Sequence, residues 1–70
     1  MGADDIHLRE VLFEFRRVGR YVKVNAIDPV TAIEVSMVGD PRRGEATLKR
    51  AATRKLKYVI MKNLGEEPPR

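Results

Sequence analysis

The chain has 70 residues, a formal net charge of +4 and no cysteine. This length allows one small domain, and a chain of this size buries only about 60% of the surface that its unfolded form exposes. The lack of cysteine excludes disulfide bridges and thiolate metal sites, and no apolar run is long enough for a spanning helix or a signal peptide. We therefore expect a cytoplasmic globular domain, stabilised by its own packing or by packing against a partner.

The first predicted elements are a leader and a β-hairpin. Residues 1–8 show no clear period, and we interpret them as a mobile leader. Apolar and polar residues then alternate, as in a half-buried strand, and the alternation resumes after Gly19 and Arg20. Two strands separated by two residues that begin with glycine predict a tight hairpin. The expected cross-strand pairs are Phe15 with Val24 and Phe13 with Ala26.

A second hairpin follows, with its turn over residues 28–31. Asp28 followed by Pro29 is typical of a type I turn. Alternation then continues through a third strand that ends at Gly39. The expected pairs are Ala26 with Ile33, Val24 with Val35 and Val22 with Met37. Both hairpins place the same residues of the second strand on one face, and a slip by one residue in either would break this agreement.

Residues 45–64 change to a helical period, and Gly65 supplies a stop. The apolar stripe of this helix consists of Leu48, Ala51, Ala52, Leu56, Val59 and Ile60. We expect the stripe to pack on the sheet face shared by the pairs above. The predicted fold is α+β, a three-stranded antiparallel meander packed on one C-terminal helix, with a single domain over residues 9–65 and a disordered tail over residues 66–70.

Basic residues are concentrated in the predicted domain. Residues 9–65 carry 13 basic and six acidic side chains, and residues 39–62 alone carry eight basic and two acidic ones. The strand directions bring the first hairpin turn, the 40–44 loop and the helix start to one end of the sheet. We call the cations gathered there and along the exposed helix face the basic corner: Arg17, Arg20, Arg42, Arg43, Lys49, Arg50, Arg54 and Lys57.

A surface of this sign attracts phosphates, with an affinity that falls as salt rises. The basic corner therefore indicates RNA or DNA backbone as a partner, whereas the alternative is an ordinary solvated face that keeps the protein soluble. Phe13 and Phe15 are expected to point inward, which leaves Tyr21 and Tyr58 as the remaining aromatic residues. Base stacking needs exposed aromatic rings, so backbone recognition of a duplex is favoured over single-strand binding.

The outer face of the sheet suggests a second function, a homodimer or partner interface across this face or along an exposed edge strand. Its candidate interface residues are Leu12, Val18, Tyr21, Ile27 and Val38, with Ala32 beside Leu12 and Ile27. The predicted register also places Arg16 opposite Lys23, a like-charge pair that a nearby acid or a partner's acid would relieve. The alternative is that scattered surface valine and isoleucine are ordinary.

Nothing in the sequence converges on a catalytic or metal site. His7 is the single histidine and falls in the leader, and residues 39–44 are a plain loop without the Lys-Ser/Thr of a phosphate-binding loop. We therefore expect no enzyme, no metal, no cofactor, no small-molecule substrate and no membrane partner.

Several segments together resemble a family of short alphaproteobacterial proteins of unknown function. They are Phe13 to Val24, Ala26-Ile27-Asp28, Glu34-Val35-Ser36 and Arg54 to Val59. The resemblance covers about residues 12–62. It implies a bacterial cytoplasmic setting and no activity.

The order of elements is also similar to the C-terminal part of double-stranded RNA-binding domains, in which the first hairpin loop and the basic helix start contact the duplex by shape. Lys49-Arg50-Ala51-Ala52 matches the first four positions of that family's Lys-Lys-x-Ala-Lys motif, and Thr53 replaces the last lysine. The first helix of that family has no counterpart here. The resemblance implies duplex contacts by the first hairpin turn and by the basic helix start at Lys49 and Arg50.

Overall fold

Three strands and one helix make up the computed structural model, which describes Gly2 and residues 6–65. The strands are β1 (Leu12–Val18), β2 (Tyr21–Asp28) and β3 (Ile33–Gly39), antiparallel and in the sheet order β1-β2-β3. A 3-10 turn, Pro41–Arg43, leads into helix α1, Glu45–Gly65. The predicted α+β meander with one C-terminal helix is confirmed. The predicted tail and residues 1 and 3–5 of the leader lie outside the described residues.

The first hairpin has the predicted register. Phe15 pairs with Val24 and Phe13 with Ala26, and Val18 closes the turn opposite Tyr21. Gly19 has a φ of 61°, in the left-handed region that glycine adopts without steric cost. Gly19 therefore indicates a two-residue loop, and this loop length determines which residues of the hairpin pair.

The predicted register of the second hairpin is wrong by two residues. Val24 pairs with Met37 rather than Val35, and Ala26 pairs with Val35 rather than Ile33. The cause is the turn, which occupies residues 29–32 because Asp28 stays in β2, opposite Ile33. A shift of two residues keeps every side chain on its predicted face, so the core composition is unchanged.

Asp28 holds this turn with its side chain as well as its backbone. Its carboxylate accepts hydrogen bonds from the Val30 N–H at 3.1 Å and the Thr31 hydroxyl at 2.7 Å. Its carbonyl accepts from the Ala32 N–H at 2.7 Å, and Ala32 adopts a φ of 64°. The hydrogen bonds to the carboxylate, first the one from the Thr31 hydroxyl and then the one from the Val30 N–H, lower the pKa of the Asp28 carboxyl. These hydrogen bonds offset the free-energy cost of burying the Asp28 carboxylate.

The core lies between the inner face of the sheet and α1. Its buried residues are Ile6, Val22, Val24, Ala26, Val35, Leu48, Ala52, Leu56 and Ile60. The helix packs over β2 and β3, so the inner side of β1 stays only half-covered at Phe13 and Phe15. Within the described residues, no helix combines the length and apolar composition needed to cross a membrane.

Part of the predicted leader belongs to this core. Ile6 is 8% exposed and packs in the core cluster, with Leu8 against its edge. The expectation of a mobile leader over residues 1–8 therefore needs correction at Ile6. Ile6 and Leu8 alternate with His7, but Arg9 and Glu10 follow at once, so the apolar pattern is too short to predict burial.

Candidate functional site

The first hairpin turn and the 40–44 loop meet at one end of the sheet, as the strand directions predict. Arg17, Arg20 and Arg42 line one open cavity of about 410 Å³, together with Tyr21 and Asp40. Three arginines from two separate segments thus line one concave surface. Pro41 completes the wall of this cavity and fixes the path of the loop.

Asp40 pairs with one of these cations. Its carboxylate accepts from the Arg42 Nε at 3.1 Å and from the Arg42 Nη2 at 2.7 Å, an arrangement that holds the planar guanidinium by two nitrogens. It also accepts from the Arg42 backbone N–H at 2.9 Å, which caps the 3-10 turn. The hydrogen bonds from Arg42 and its charge lower the pKa of Asp40 from 3.8 to about 2. Arg42 is therefore neutralised locally and oriented at the same time.

The other cations of the basic corner have weaker partners. Arg17 Nε donates to the Gly19 carbonyl at 3.2 Å, which holds its guanidinium at the turn. Arg50 Nη2 donates to the Thr47 hydroxyl at 3.4 Å. Arg20, Arg43, Arg50 and Arg54 have exposed side chains, and Lys57 is half-buried. Within the described residues, the carboxylate partners of the basic corner are Asp40 for Arg42 and Glu45 for Lys49.

Lys49 lies apart from the open face of the helix. Its ammonium is 3.9 Å from a Glu45 carboxylate oxygen and 5.4 Å from the centroid of the Phe13 ring. It therefore covers the inner side of β1. Arg54 and Lys57 follow Arg50 along α1, at spacings that put the three residues on one side of the helix.

The outer face of the sheet carries a polar row across its middle. The Asn25 side chain donates to Glu14 at 3.2 Å, and the Ser36 hydroxyl donates to Asn25 at 2.6 Å. Arg16 lies opposite Lys23, as predicted. The polar row separates the candidate interface residues into two small groups, Leu12 with Ile27 at one end and Val18, Tyr21 and Val38 at the other.

The corrected register changes the first of these groups. Ile27 faces Glu34 instead of Ala32, which now lies in the turn. Ile27 itself is half-buried, whereas Leu12 is 45% exposed. The second group stays open, with Tyr21 at 53% and Val38 at 64% exposure.

These surfaces are shaped by two polar residues, Asp40 and Lys55, to which the sequence had suggested no role. Asp40 precedes a proline at the start of a helical turn, a capping signal that could have identified it. Lys55 donates from Nζ to the Ser36 carbonyl at 2.7 Å and so covers part of the free edge of β3. A lysine on a basic helix gives no sequence signal for such a contact.

Elsewhere among the described residues, the candidate titratable side chains do not come together. His7 is exposed and lines a cavity of about 380 Å³ with Ile6, Asp28 and Ile60. In the part of the chain that the structure describes, no three His, Asp or Glu residues are close enough to hold a metal ion.

A family model described as Domain of unknown function (DUF6898) matches residues 8–63. No curated protein and no solved structure matches the chain.

Proposed function

The chain belongs to the DUF6898 family, a domain of unknown function, and we propose that it is a small basic module that contacts the phosphate backbone of nucleic acid through the basic corner. The observation that carries the proposal is the cavity lined by Arg17, Arg20 and Arg42. Arginine binds phosphate oxygens with two parallel N–H groups, so a concave surface lined by three arginines suits a backbone phosphate.

The charge around this cavity supports a polyanion rather than a single small anion. Arg43, Arg50 and Arg54 are exposed as well, and the last two lie on one side of α1. A duplex presents phosphates at regular intervals, so a row of cations can neutralise several of them at once. The order of elements, similar to the end of a double-stranded RNA-binding domain, agrees with contact by a hairpin turn and a helix start.

The proposed setting is a bacterial cytoplasm, because the family resemblance over residues 12–62 implies that setting. The aromatic residues favour a duplex over a single strand, because Phe13 and Phe15 are half-buried on the inner face. Tyr21 alone among the aromatic residues lines the cavity. One ring does not provide the series of stacking platforms that single-strand binders use.

Fluorescence anisotropy with labelled duplex and single-stranded RNA and DNA, at about 50 mM and about 200 mM salt, tests the proposal. We expect duplex binding at low salt that weakens at high salt. The triple variant Arg17→Gln, Arg20→Gln, Arg43→Gln should lose most of it. No binding at tens of micromolar protein and low salt would exclude the proposal, because non-specific contact alone should be visible there.

A matched control removes the same charge elsewhere. Lys23 lies on the outer face and Lys62 near the end of α1, with its ammonium 5.3 Å from the Tyr58 ring. Together with Arg9→Gln, the changes Lys23→Gln and Lys62→Gln lower the net charge by the same amount. If this control weakens binding as much as the triple variant, net charge and not the basic corner is responsible.

A homodimer across the outer face is the second candidate, supported by the exposed group of Val18, Tyr21 and Val38. The polar row from Glu14 to Ser36 limits the continuous apolar area on that face. Replacing Tyr21 and Val38 by serine should shift the sedimentation coefficient to that of a monomer if this face associates.

A further inference from the structure

The two edges of the sheet differ in how they are covered. On β3, Lys55 donates to the Ser36 carbonyl, and a lysine at an edge discourages strand pairing. On β1, the pairing found among the described residues is with β2 alone. Among the residues that the structure describes, the β1 edge is therefore the open one.

The backbone groups that β1 presents at this edge follow from the hairpin. A two-residue turn closes on a hydrogen-bonded pair, here Val18 with Tyr21, and hydrogen-bonded pairs then alternate along the strand. The N–H and C=O groups of Phe13, Phe15 and Arg17 consequently point away from β2. They are the groups that a further strand would bind.

The inner side of β1 is incompletely covered as well. The helix packs over β2 and β3, and the Phe13 and Phe15 rings lie half-buried with their centroids 6.5 Å apart. Beside them a groove of about 340 Å³ is lined by Phe15, Arg17 and Leu48, with Val22, Pro41 and Glu45. An added strand at this edge would bring side chains to the open side of these rings.

The sequence of β1 is complementary to itself in one antiparallel register. With Phe15 opposite Phe15 of a second copy, Glu14 lies opposite Arg16 and Leu12 opposite Val18, each pair occurring twice. If each strand moves by one residue, the two-fold axis passes through Glu14 or through Arg16 instead of Phe15. Two glutamates or two arginines then face each other, and like charges directly opposite each other destabilise a sheet. The register centred on Phe15 also pairs all seven residues of β1.

We propose that two copies of this chain associate through β1 into a continuous six-stranded antiparallel sheet, with a two-fold axis at Phe15. Glu14 of the second copy then supplies the acid that the Arg16–Lys23 pair lacks. On the inner side, Phe13 of the second copy lies opposite Arg17, beside the 340 Å³ groove. Both helices lie on the same face of the sheet, and the phenylalanines of the two β1 strands form an apolar strip between them.

Sedimentation equilibrium from the micromolar to the millimolar range tests the association. We expect a dimer for the natural sequence and an affinity about tenfold or more weaker for Glu14→Arg or Arg16→Glu alone, because each creates two like-charge pairs. An equimolar mixture of these two variants should form a heterodimer, since all facing charges are then opposite. Circular dichroism on each variant verifies that the fold is intact.

Disulfide trapping tests the register without relying on charge. The chain has no cysteine, so Leu12→Cys and Val18→Cys introduce single thiols. In the proposed dimer the two positions face each other in a pair without backbone hydrogen bonds, with Cα atoms about 4.5 Å apart, within reach of a disulfide. Two copies of Leu12→Cys alone place their thiols about 20 Å apart. Oxidation of the mixture should give a covalent dimer, and oxidation of either variant alone should not.

Three results would overturn the proposal. One is a monomer at every concentration. Another is a dimer that withstands both charge reversals but dissociates when Tyr21 and Val38 become serine, which assigns association to the outer face. The third is a covalent dimer of Leu12→Cys alone that forms as readily as the dimer of the mixture.

Discussion

Asp40 controls how much positive charge the cavity offers. Its carboxylate holds Arg42 at 2.7 Å, so in the proposed complex with nucleic acid this arginine is already paired with an acid when it meets a phosphate. Asparagine keeps the capping hydrogen bond to the Arg42 backbone N–H but carries no charge. Asp40 therefore has two roles that this substitution separates. It caps the 3-10 turn, and it reduces the positive charge of the proposed binding surface.

We expect Asp40→Asn to strengthen binding to duplex nucleic acid and to steepen its salt dependence by about one phosphate contact. The reason is that Arg42 becomes free to exchange its carboxylate partner for a phosphate. Anisotropy titration at several salt concentrations measures both effects. Glu34→Gln makes the same change in net charge at the opposite end of the outer face and should change affinity less. Equal gains from the two variants would contradict the role given to Asp40.

The lowered pKa of Asp40 also predicts a stability change in acid. Its carboxyl has a pKa of about 2 in the folded chain instead of 3.8, so its contribution is complete above pH 3.8. It is lost as the pH falls from 3.8 towards 2, where the carboxylate protonates and releases Arg42. Thermal unfolding followed by circular dichroism should show a drop in midpoint over that range, smaller in Asp40→Asn. Parallel curves for the two proteins would contradict this expectation. The pKa of Asp28 is lowered too, so its share of the drop persists in the variant.

The contact between β3 and α1 depends on a glycine. A Cβ placed on Gly39 would lie 2.5 Å from Leu48 Cδ2, and Leu48 is 4% exposed. The end of β3 and the first turn of α1 therefore approach more closely than any other residue would allow without a shift of Leu48. This contact helps to fix the angle at which the helix crosses the sheet, and with it the position of the 40–44 loop.

Gly39→Ala should lower the free energy of unfolding by about 1–3 kcal/mol, because the added methyl displaces a buried side chain. Urea unfolding monitored by circular dichroism gives the value. Leu48→Val in the same chain shortens the displaced side chain and should recover part of the loss relative to the sum of the two single changes. Strict additivity of the two substitutions would show that the methyl and Leu48 do not collide.

The accuracy of the sequence-based predictions varied with the kind of signal that each element carries. The first hairpin was predicted with its register because Gly19 marks a turn of defined length. The second was shifted because aspartate before proline signals a turn without fixing its length, and a non-glycine residue at positive φ, Ala32, was not expected. Period-two alternation cannot correct an error of two residues. The helix stripe needed no such detail, since six apolar positions define one face.

The sequence indicated which arginines gather at the candidate site, but it did not indicate which side chains they contact there. Strand directions sufficed to bring Arg17, Arg20 and Arg42 to one end, because topology alone decides which loops share an edge. The carboxylate of Asp40 among these cations, and the placement of Lys49 over Phe13, depend on side-chain conformations that no sequence period encodes.

For the whole molecule, the number of engaged cations predicts the salt dependence of binding. If about five arginines contact phosphates, the logarithm of the affinity for duplex DNA should fall with a slope of about −4.5 against the logarithm of salt. Between about 50 mM and 200 mM salt this corresponds to a loss of about 500-fold. Titrations across that range measure the slope. A slope near −1 would mean that a single cation binds and that the rest of the basic corner is solvated surface.

The strand order β1-β2-β3 has a consequence for how the chain reaches its native state. Every strand pairs with its neighbour in sequence, across loops of two and four residues. Short loops cost little entropy to close, and chains rich in local contacts fold faster than those that must join distant segments. The sheet can thus form by two successive hairpin closures before the C-terminal helix docks on it. The open apolar face is then exposed until α1 docks, which makes helix docking the step at which aggregation competes with folding.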